Sequence, residues 1–406
     1  MRGDEQSWFG SGAEIPTTLA YALAALVLAL KAPDALSRPQ FWAEDATVFF
    51  AQQHGRLWPL LFESYAGYLL VIPRLVAWLA SPFSAVLAPL LYNFAALAVG
   101  TAAIASLSEI RALGIAFPFL LAAIALTPTN GEVFGTLTNV QWLTQFYFVS
   151  VVARCWQGEP TRHPIARAAV MLFIGLTGPL CIFMTIAFAV AWAFRAATGG
   201  SRLPSVEIGV MAACALVQAL FIFRLAPVSA SAWSWPEIYR LYASLQAHIF
   251  GGVVFGERTF SLVLCMLVLL AFWRVRALAA GPIVLFVILL YAALALIAVG
   301  ATFSTNPVRL LSLEYGDRYY VFAKALFWWL VALSAIGVLG RVREAPALVL
   351  IALLGSNAVW MGNHLQRTAL RDLAWPVAGA MIDGGRPIRA PINPPGWTLT
   401  IPAPER

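Results

Sequence analysis

Two adjacent carboxylates, Glu44 and Asp45, are the side chains of this sequence best suited to acid–base chemistry. They lie in a polar stretch, residues 38–54, that directly follows the first long apolar segment. Charge near a bilayer is costly and tends to persist only where it is used. A carboxylate at a boundary poor in water can take a proton from an attacking hydroxyl group. We therefore predict a catalytic pair, with Asp45 favoured over Glu44 as the general base.

The same pair has a purely structural interpretation. Adjacent residues on a helix point about 100° apart, so Glu44 and Asp45 cannot face one ligand in the same manner. One of them could act as a base while the other caps a helix or holds an arginine. Acidic residues at the start of a helix also suit the helix dipole without any catalytic role.

A second group of candidates, Tyr65, Tyr68 and Arg74, follows within the same loop. A guanidinium group matches the geometry of a phosphate, so Arg74 could bind a lipid phosphate or pair with Asp45. Alternatively, Arg74 extends from an apolar helix to the lipid headgroups.

A third group consists of Asn139, Gln141 and Trp142, and Glu132 lies in the same loop. Amide groups and a flat aromatic face are the usual equipment for binding a sugar. Tryptophan is also an ordinary anchor at the membrane surface, and this is the alternative for Trp142.

A fourth group precedes the tenth apolar segment and contains Asp317, Arg318, Tyr319 and Lys324. Arg318 and Lys324 could together bind a phosphate that enters from the lipid. The alternative is that Asp317 and Arg318 neutralise one another.

No residue pattern in the sequence requires a metal or another cofactor. The four histidines are scattered, and the four cysteines fall in or at the ends of apolar segments. Carboxylates could still hold a divalent metal. Phosphate-binding glycine loops, nucleophile elbows and dinucleotide motifs are missing from the sequence.

The composition indicates a membrane protein that must hold these groups between apolar helices. Of the 406 residues, 61% are hydrophobic and only 11% are charged, whereas soluble domains are about 45–50% apolar. The net charge of +7 comes almost wholly from arginine, which in this class reflects topology and lipid contacts rather than nucleic-acid binding. The predicted fold class is an all-α polytopic membrane protein with about eleven transmembrane helices. The predicted spans are 15–33, 84–107, 114–128, 140–157, 166–177, 179–196, 204–225, 259–273, 281–300, 321–340 and 345–362.

Arginines concentrate on alternate connections between these spans, which predicts a cytoplasmic N-terminus and a periplasmic C-terminus. The external loops would then be 34–83, 129–139, 226–258, 301–320 and 363–406, and they contain the candidate residues. The first loop contains two short amphipathic stretches, 44–54 and 70–80, which we predict to be helices parallel to the membrane. The proline-rich tail predicts an ordered coil or a small cap.

This pattern resembles the GT-C superfamily of integral-membrane glycosyltransferases. In that superfamily a first span is followed by a long external loop with an acidic motif and two membrane-parallel helices. Glu44-Asp45 matches the motif in type and place, and residues 44–54 and 70–80 match the two helices. The segments 139–142 and 316–320 resemble parts of bacterial members of uncharacterised specificity. The resemblance covers roughly 15–225 and is thinner beyond, and a large soluble C-terminal domain is missing.

The resemblance implies three regions: a catalytic module at 1–225, variable spans and loops at 226–362, and a short tail at 363–406. It implies transfer of a sugar from a polyprenyl-phosphate donor to an acceptor hydroxyl, with inversion, at the periplasmic face of a bacterial inner membrane. The acceptor would be an envelope glycan, lipid or protein. Asp45 would be the base, and Arg318, Arg74 and Lys324 would stabilise the leaving phosphate. The alternatives are a transporter or flippase for a lipid-linked glycan, and a polymerase or ligase that uses lipid-diphosphate donors.

Overall fold

The structure is a computed structural model, and it is mostly helical. It describes residues 15–110, 116–158, 163–198, 205–225, 235–250, 256–276, 281–302, 316–339 and 362–402. The helices of the N-terminal half are α1 Thr17–Lys31, α2 Asp34–Ser37, a π-helix Asp45–Phe50 continued by α3 Ala51–Gln53, α4 Val71–Ala80, α5 Ala88–Ala105, α6 Ala116–Leu126, α7 Gln141–Gln157, α8 Pro164–Gly175 and α9 Leu180–Ala197.

The later elements are helical up to the tail, which ends in a small sheet. They are α10 Val206–Leu225, α11 Trp235–Phe250, α12 Glu257–Val275, α13 Gly281–Thr302, α14 Val321–Leu339, α15 Trp375–Asp383, β1 Ile388–Ile392 and β2 Trp397–Ile401. The two strands pair antiparallel, with Ile388 opposite Ile401. Short 3₁₀ turns lie at Ala85–Leu87, Ser106–Glu109, Asp317–Tyr320 and Gly362–Leu365.

Several of these helices could cross a membrane. Among the described residues, four are long and apolar enough to do so: Ala85–Glu109, Leu180–Ala197, Val206–Arg224 and Gly281–Val299. Shorter apolar helices include Thr17–Lys31 and Phe117–Leu126. The predicted total of about eleven spans stays a prediction, and the span 345–362 lies outside the described residues.

The predicted external loop 226–258 is not all loop, since it contains the 16-residue helix α11. Polar residues interrupt its apolar residues, so the helix does not form the continuous apolar segment by which the other helices were predicted. The side chains of its second half, including Ser244 and His248, are buried.

Helices form at both positions predicted in the first external loop, but they are buried more deeply than helices lying on a surface would be. The start of α4 is inserted between other helices. The N–H of Val71 donates to the carbonyl of Leu176 at 3.1 Å, and that of Ile72 donates to Thr177 Oγ1 at 3.0 Å. The apolar run from Leu69 to Ile72 explains this burial.

The tail is part of the fold, and its strands make the predicted all-α class incomplete. Trp375 packs edge-on against Phe41, with ring centroids 4.6 Å apart. Gly379 lies so close to the main chain of Val86 that a Cβ there would stand 2.7 Å from the Val86 Cα. The carboxylate of Asp383 accepts the N–H of Ala85 at 2.8 Å. The tail therefore caps the end of the bundle at which α1 ends and the Ala85–Glu109 helix begins.

A buried ion pair joins this cap to the bundle. Arg367 donates to both oxygens of Asp34, at 2.7 and 2.8 Å, and to the carbonyl of Phe134 at 2.8 Å. Nearby, Lys31 Nζ donates to the carbonyls of Thr127 and Leu365. These contacts fix the tail, the first loop and the 127–140 loop against each other.

Candidate functional site

The capped end of the bundle brings together several of the predicted site residues, beginning with Glu44 and Tyr65. The Tyr65 hydroxyl donates to Glu44 Oε1 at 3.0 Å. Burial and the charge of Glu44 raise the pKa of Tyr65 well above its ordinary value. The phenol therefore keeps its proton and serves as a fixed donor to the carboxylate.

Tyr68, Gln141 and Trp142 lie beside this pair. Gln141 Nε2 is 3.5 Å from the Tyr68 hydroxyl, and Trp142 packs edge-on against Tyr319 with ring centroids 5.0 Å apart. Gln141 and Trp142 stand in the first turn of α7. Both side chains are buried.

Arg318 supplies a positive charge to this group. Its guanidinium lies 5.0 Å from the centroid of the Tyr319 ring and 3.6 Å from Glu132 Oε2. The negative charge of Glu44 also contributes to raising the pKa of the Arg318 guanidinium. Burial raises the pKa of Glu132, and the charge of Arg318 opposes that rise.

Several buried polar atoms of this cluster have no hydrogen bond. Among the described residues these are Glu44 Oε2, Glu132 Oε2, Gln141 Oε1 and Trp142 Nε1, although Glu132 Oε2 faces the Arg318 guanidinium at 3.6 Å. Each buried polar atom left unpaired costs free energy, and native proteins contain few of them. A carboxylate, an amide and an indole N–H with no hydrogen bond of these atoms thus lie next to a guanidinium group.

Asp45, the favoured base, has a different environment from Glu44. Its side chain is fully buried, and its two oxygens accept the main-chain N–H groups of Leu137 and Thr138 at 3.0 and 2.7 Å. Burial raises the pKa of Asp45 to about 7, although those two N–H donors oppose the rise. This geometry makes Asp45 the link that holds the 136–140 loop against the first loop.

The polar groups of three other predicted site residues, Asn139, Lys324 and Asp317, are hydrogen-bonded to neighbouring parts of the fold. Asn139 Nδ2 donates to the Glu132 carbonyl at 2.6 Å, inside its own loop, which does not leave its amide free for a sugar. Lys324 donates to Asp317 and to the carbonyl of Pro128, and Asp317 also meets His248 at 3.1 Å. A phosphate-binding role for Lys324 is therefore not supported. Asp317 pairs with Lys324 rather than with Arg318, the partner named in the alternative interpretation of the sequence.

Arg74 lies near the cluster but not in it. Its guanidinium is 5.1 Å from the centroid of the Phe49 ring, and that ring packs against Tyr65. Arg74 Nη1 donates to Gln52 at 2.6 Å, whereas Nε and Nη2 have no partner among the described residues. Burial lowers the pKa of this guanidinium. The structure shows neither the predicted pairing with Asp45 nor an arginine extended into water, since the side chain is buried.

Two positioning residues were missed by sequence reasoning. Gln218 holds Leu69 through both main-chain groups, at 2.9 and 3.1 Å, and thereby fixes Tyr68. Gly178 has φ +94°, and a Cβ there would stand 1.9 Å from Gln141 Oε1. The sequence signal for Gln218 is that it is an isolated amide within the apolar helix α10.

An open cavity of about 80 Å³ lies at the far end of the 44–54 segment. Phe50, His54, Ser81 and Asp383 are among its lining residues. Within the described ranges, no three His, Cys, Asp or Glu side chains come together as a set of metal ligands.

Fold and site together describe a helical protein with apolar helices able to cross a membrane and a buried polar cluster at one end. Comparison with family models, with curated proteins and with solved structures finds no match for this chain. The function must therefore be argued from the cluster itself.

Proposed function

We propose that the chain is a membrane glycosyltransferase that moves a sugar from a polyprenyl-phosphate donor to an acceptor hydroxyl. The observation that carries the proposal is the set of unpartnered buried polar atoms around Glu44, Gln141 and Trp142, beside Arg318. Sugars are bound by such amides, carboxylates and aromatic faces, and a leaving phosphate needs a nearby cation. The membrane would be a bacterial inner membrane, with this end of the bundle at the periplasmic face.

Glu44 is the better general base in this site. A base must first be within hydrogen-bond reach of the proton that it removes, and only then does its pKa decide. Both oxygens of Asp45 already accept main-chain N–H groups, whereas Glu44 Oε2 has no partner among the described residues. Tyr65 would orient Glu44 through the other oxygen. Asp45 becomes a positioning residue.

The other roles follow from chemistry and position. Arg318 would stabilise the phosphate as negative charge develops on it, because its guanidinium adjoins the unpartnered atoms. Gln141, Trp142, Tyr68 and Tyr319 would bind the sugar. Arg74 is the second candidate for a phosphate, since two of its nitrogens are unpaired.

The test compares Glu44→Gln with Asp45→Asn in reconstituted vesicles, using radiolabelled polyprenyl-phosphate sugars as donors. Glu44→Gln should melt like the wild type and transfer sugar about 10²–10⁴-fold more slowly, as expected for loss of a general base. Asp45→Asn should melt at a lower temperature, because an amide NH₂ would face a main-chain N–H.

Glu63→Gln is the matched control, since Glu63 is an exposed acid in the same loop. It should transfer sugar at the wild-type rate. Transfer by Glu44→Gln at the wild-type rate would refute the assignment of the base. A wild-type protein inactive with every polyprenyl-phosphate sugar would refute the proposed activity.

The alternatives remain distinguishable. A transporter needs polar groups along a path through the membrane, and Gln218 and Asn93 are two of the polar residues buried within the apolar helices. Both are occupied by main-chain groups, Gln218 by Leu69 and Asn93 by Ala35. This favours an enzyme over a transporter. A polymerase or ligase would accept lipid-diphosphate donors, so product analysis with monophosphate and diphosphate donors separates it from the proposed transferase.

A further inference from the structure

The turn between α3 and α4 has a main chain held by its neighbours. Gln53 Nε2 donates to the carbonyls of Arg56 and Trp58, each at 3.1 Å. Trp78 Nε1 donates to the carbonyl of Leu57 at 2.9 Å. Three hydrogen bonds from two side chains, Gln53 and Trp78, therefore hold the main chain of this short segment.

Those side chains are large, apolar and almost fully exposed. The exposed fractions are 86% for Leu57, 81% for Trp58 and 70% for Phe62. Single exposed apolar residues are common and need no explanation, but three within six positions of one turn are not an isolated case. We call Leu57, Trp58 and Phe62 the apolar tip.

Further exposed apolar side chains follow the apolar tip along the chain and lead to a helix that could cross a membrane. The hydrogen bond to Trp78 joins the tip to the end of α4, and the next exposed apolar side chains are Leu79 and Phe83. Phe83 directly precedes the Ala85–Glu109 helix, which is long and apolar enough to cross a membrane and exposes Leu87 and Phe94.

We propose that the apolar tip inserts into the lipid bilayer at the boundary between headgroups and acyl chains. Tryptophan is enriched at that depth because its indole has an apolar body and a polar N–H. Arg56, exposed beside the tip, suits the phosphates of the headgroups. The partner is the membrane itself, and this inference does not depend on the proposed sugar transfer.

Insertion would have a consequence for the polar cluster. Glu44 and Tyr65 lie on the two sides of the tip in sequence, and the tip is rigidly held between them. A tip anchored in the headgroup region would therefore hold Glu44 and Tyr65 at a fixed depth, near the level of lipid phosphates.

The test uses single nitroxide labels on the full chain in phospholipid vesicles. The four native cysteines are replaced by alanine, and cysteine is introduced in turn by Trp58→Cys, Phe62→Cys, Phe94→Cys and Arg389→Cys. Position 94, exposed on the spanning helix, is the lipid reference, and position 389, exposed on β1, is the water reference. Collision rates with oxygen, which concentrates in lipid, and with a nickel chelate, which stays in water, are measured at each position.

We expect the ratio of oxygen to nickel collisions at positions 58 and 62 to be severalfold higher than at 389 and to approach that at 94. A ratio equal to that at 389 would overturn the proposal, because the tip would then be in water. Low collision rates with both reagents would also overturn it, since a second copy or another protein would cover the tip. Melting temperatures of the cysteine-free protein and the reference positions show that the fold is preserved.

Discussion

At the scale of single residues, Glu44 and Asp45 show how neighbours in sequence acquire different chemistry. Asp45 is surrounded by main-chain donors from a loop more than ninety residues further along, whereas Glu44 faces tyrosines and an arginine. The sequence located both carboxylates and favoured Asp45 as the base, whereas their contacts lead us to propose the opposite ranking. Their ranking depends on which one meets Leu137 and Thr138, and no local pattern encodes that contact.

The protonation of Asp45 should affect stability in a defined pH range. Its pKa rises from 3.8 in the unfolded chain to about 7 in the folded protein, so between these values only the folded state binds the proton. Stability should therefore fall as the pH rises from about 4 to 7 and level off above 7. The whole effect is on the order of 4 kcal/mol.

Thermal unfolding in detergent between pH 4.5 and 8.5 measures this effect, with Asp45→Asn as the comparison. Burial also raises the pKa of Glu132, which adds a slope of the same sign. The wild type should lose more stability across the range than Asp45→Asn. Equal slopes would show that Asp45 does not titrate there.

At the scale of elements, the break between α8 and α9 positions Gln141, one of the residues that we propose to bind the sugar. Gly178 at this break donates its N–H to the carbonyl of Leu69 at 2.8 Å and touches Gln141. Gly178→Ala would introduce a Cβ at φ +94° and displace Gln141. We expect a loss of about 1–3 kcal/mol of stability and weaker binding of the sugar donor, measured by thermal unfolding and by the KM for the donor.

Gly209→Ala is the matched control for this substitution. Gly209 lies in α10, and nothing approaches its would-be Cβ within 4 Å. Alanine inside a helix is favoured over glycine by roughly 0.5–1 kcal/mol, so this variant should melt at or above the wild-type temperature. Unchanged donor KM in Gly178→Ala would argue against a role for Gln141.

The C-terminal end of helix α6 has hydrogen-bond partners that the sequence pattern did not predict. The only two lysines of the chain, Lys31 and Lys324, donate to the consecutive carbonyls of Thr127 and Pro128 just beyond this helix. Both side chains are buried, and cations are favoured at a helix C-terminus.

Reductive methylation of the folded protein should therefore modify the α-amino group and spare both lysines, as read by peptide mass spectrometry. Denaturation before labelling should expose them, and methylation of Lys324 in the folded protein would contradict this packing.

Elements were predictable where the pattern was local. The helix Val71–Ala80 lies within one residue of its predicted bounds, 70–80. It is a short apolar run interrupted only by Arg74, and the polar Ser81 follows its end. The helix Trp235–Phe250 was missed because its polar residues interrupt the apolar pattern. The burial of Leu69 and Leu70 could not be predicted, since the partners of their main chain are Gln218 in α10 and Thr177 in the break between α8 and α9.

At the scale of the whole molecule, the Asp34–Arg367 pair decides whether the tail behaves as part of the fold. Both side chains are buried, and Arg367 donates to both carboxylate oxygens and to Phe134. Removing one partner of a buried ion pair costs about 3–5 kcal/mol because the other charge is left unpaired, whereas replacing both costs much less.

Arg367→Met should therefore lower the melting temperature strongly, and adding Asp34→Leu should recover part of the loss. Recovery will be incomplete, because Leu370 also donates its N–H to Asp34 and Phe134 would lose its donor. Arg389→Met is the control, since Arg389 is an exposed arginine in the same tail. If Arg367→Met melts like Arg389→Met, the tail does not hold the first loop, and the position of Glu44 must depend on Asp45 and its loop alone.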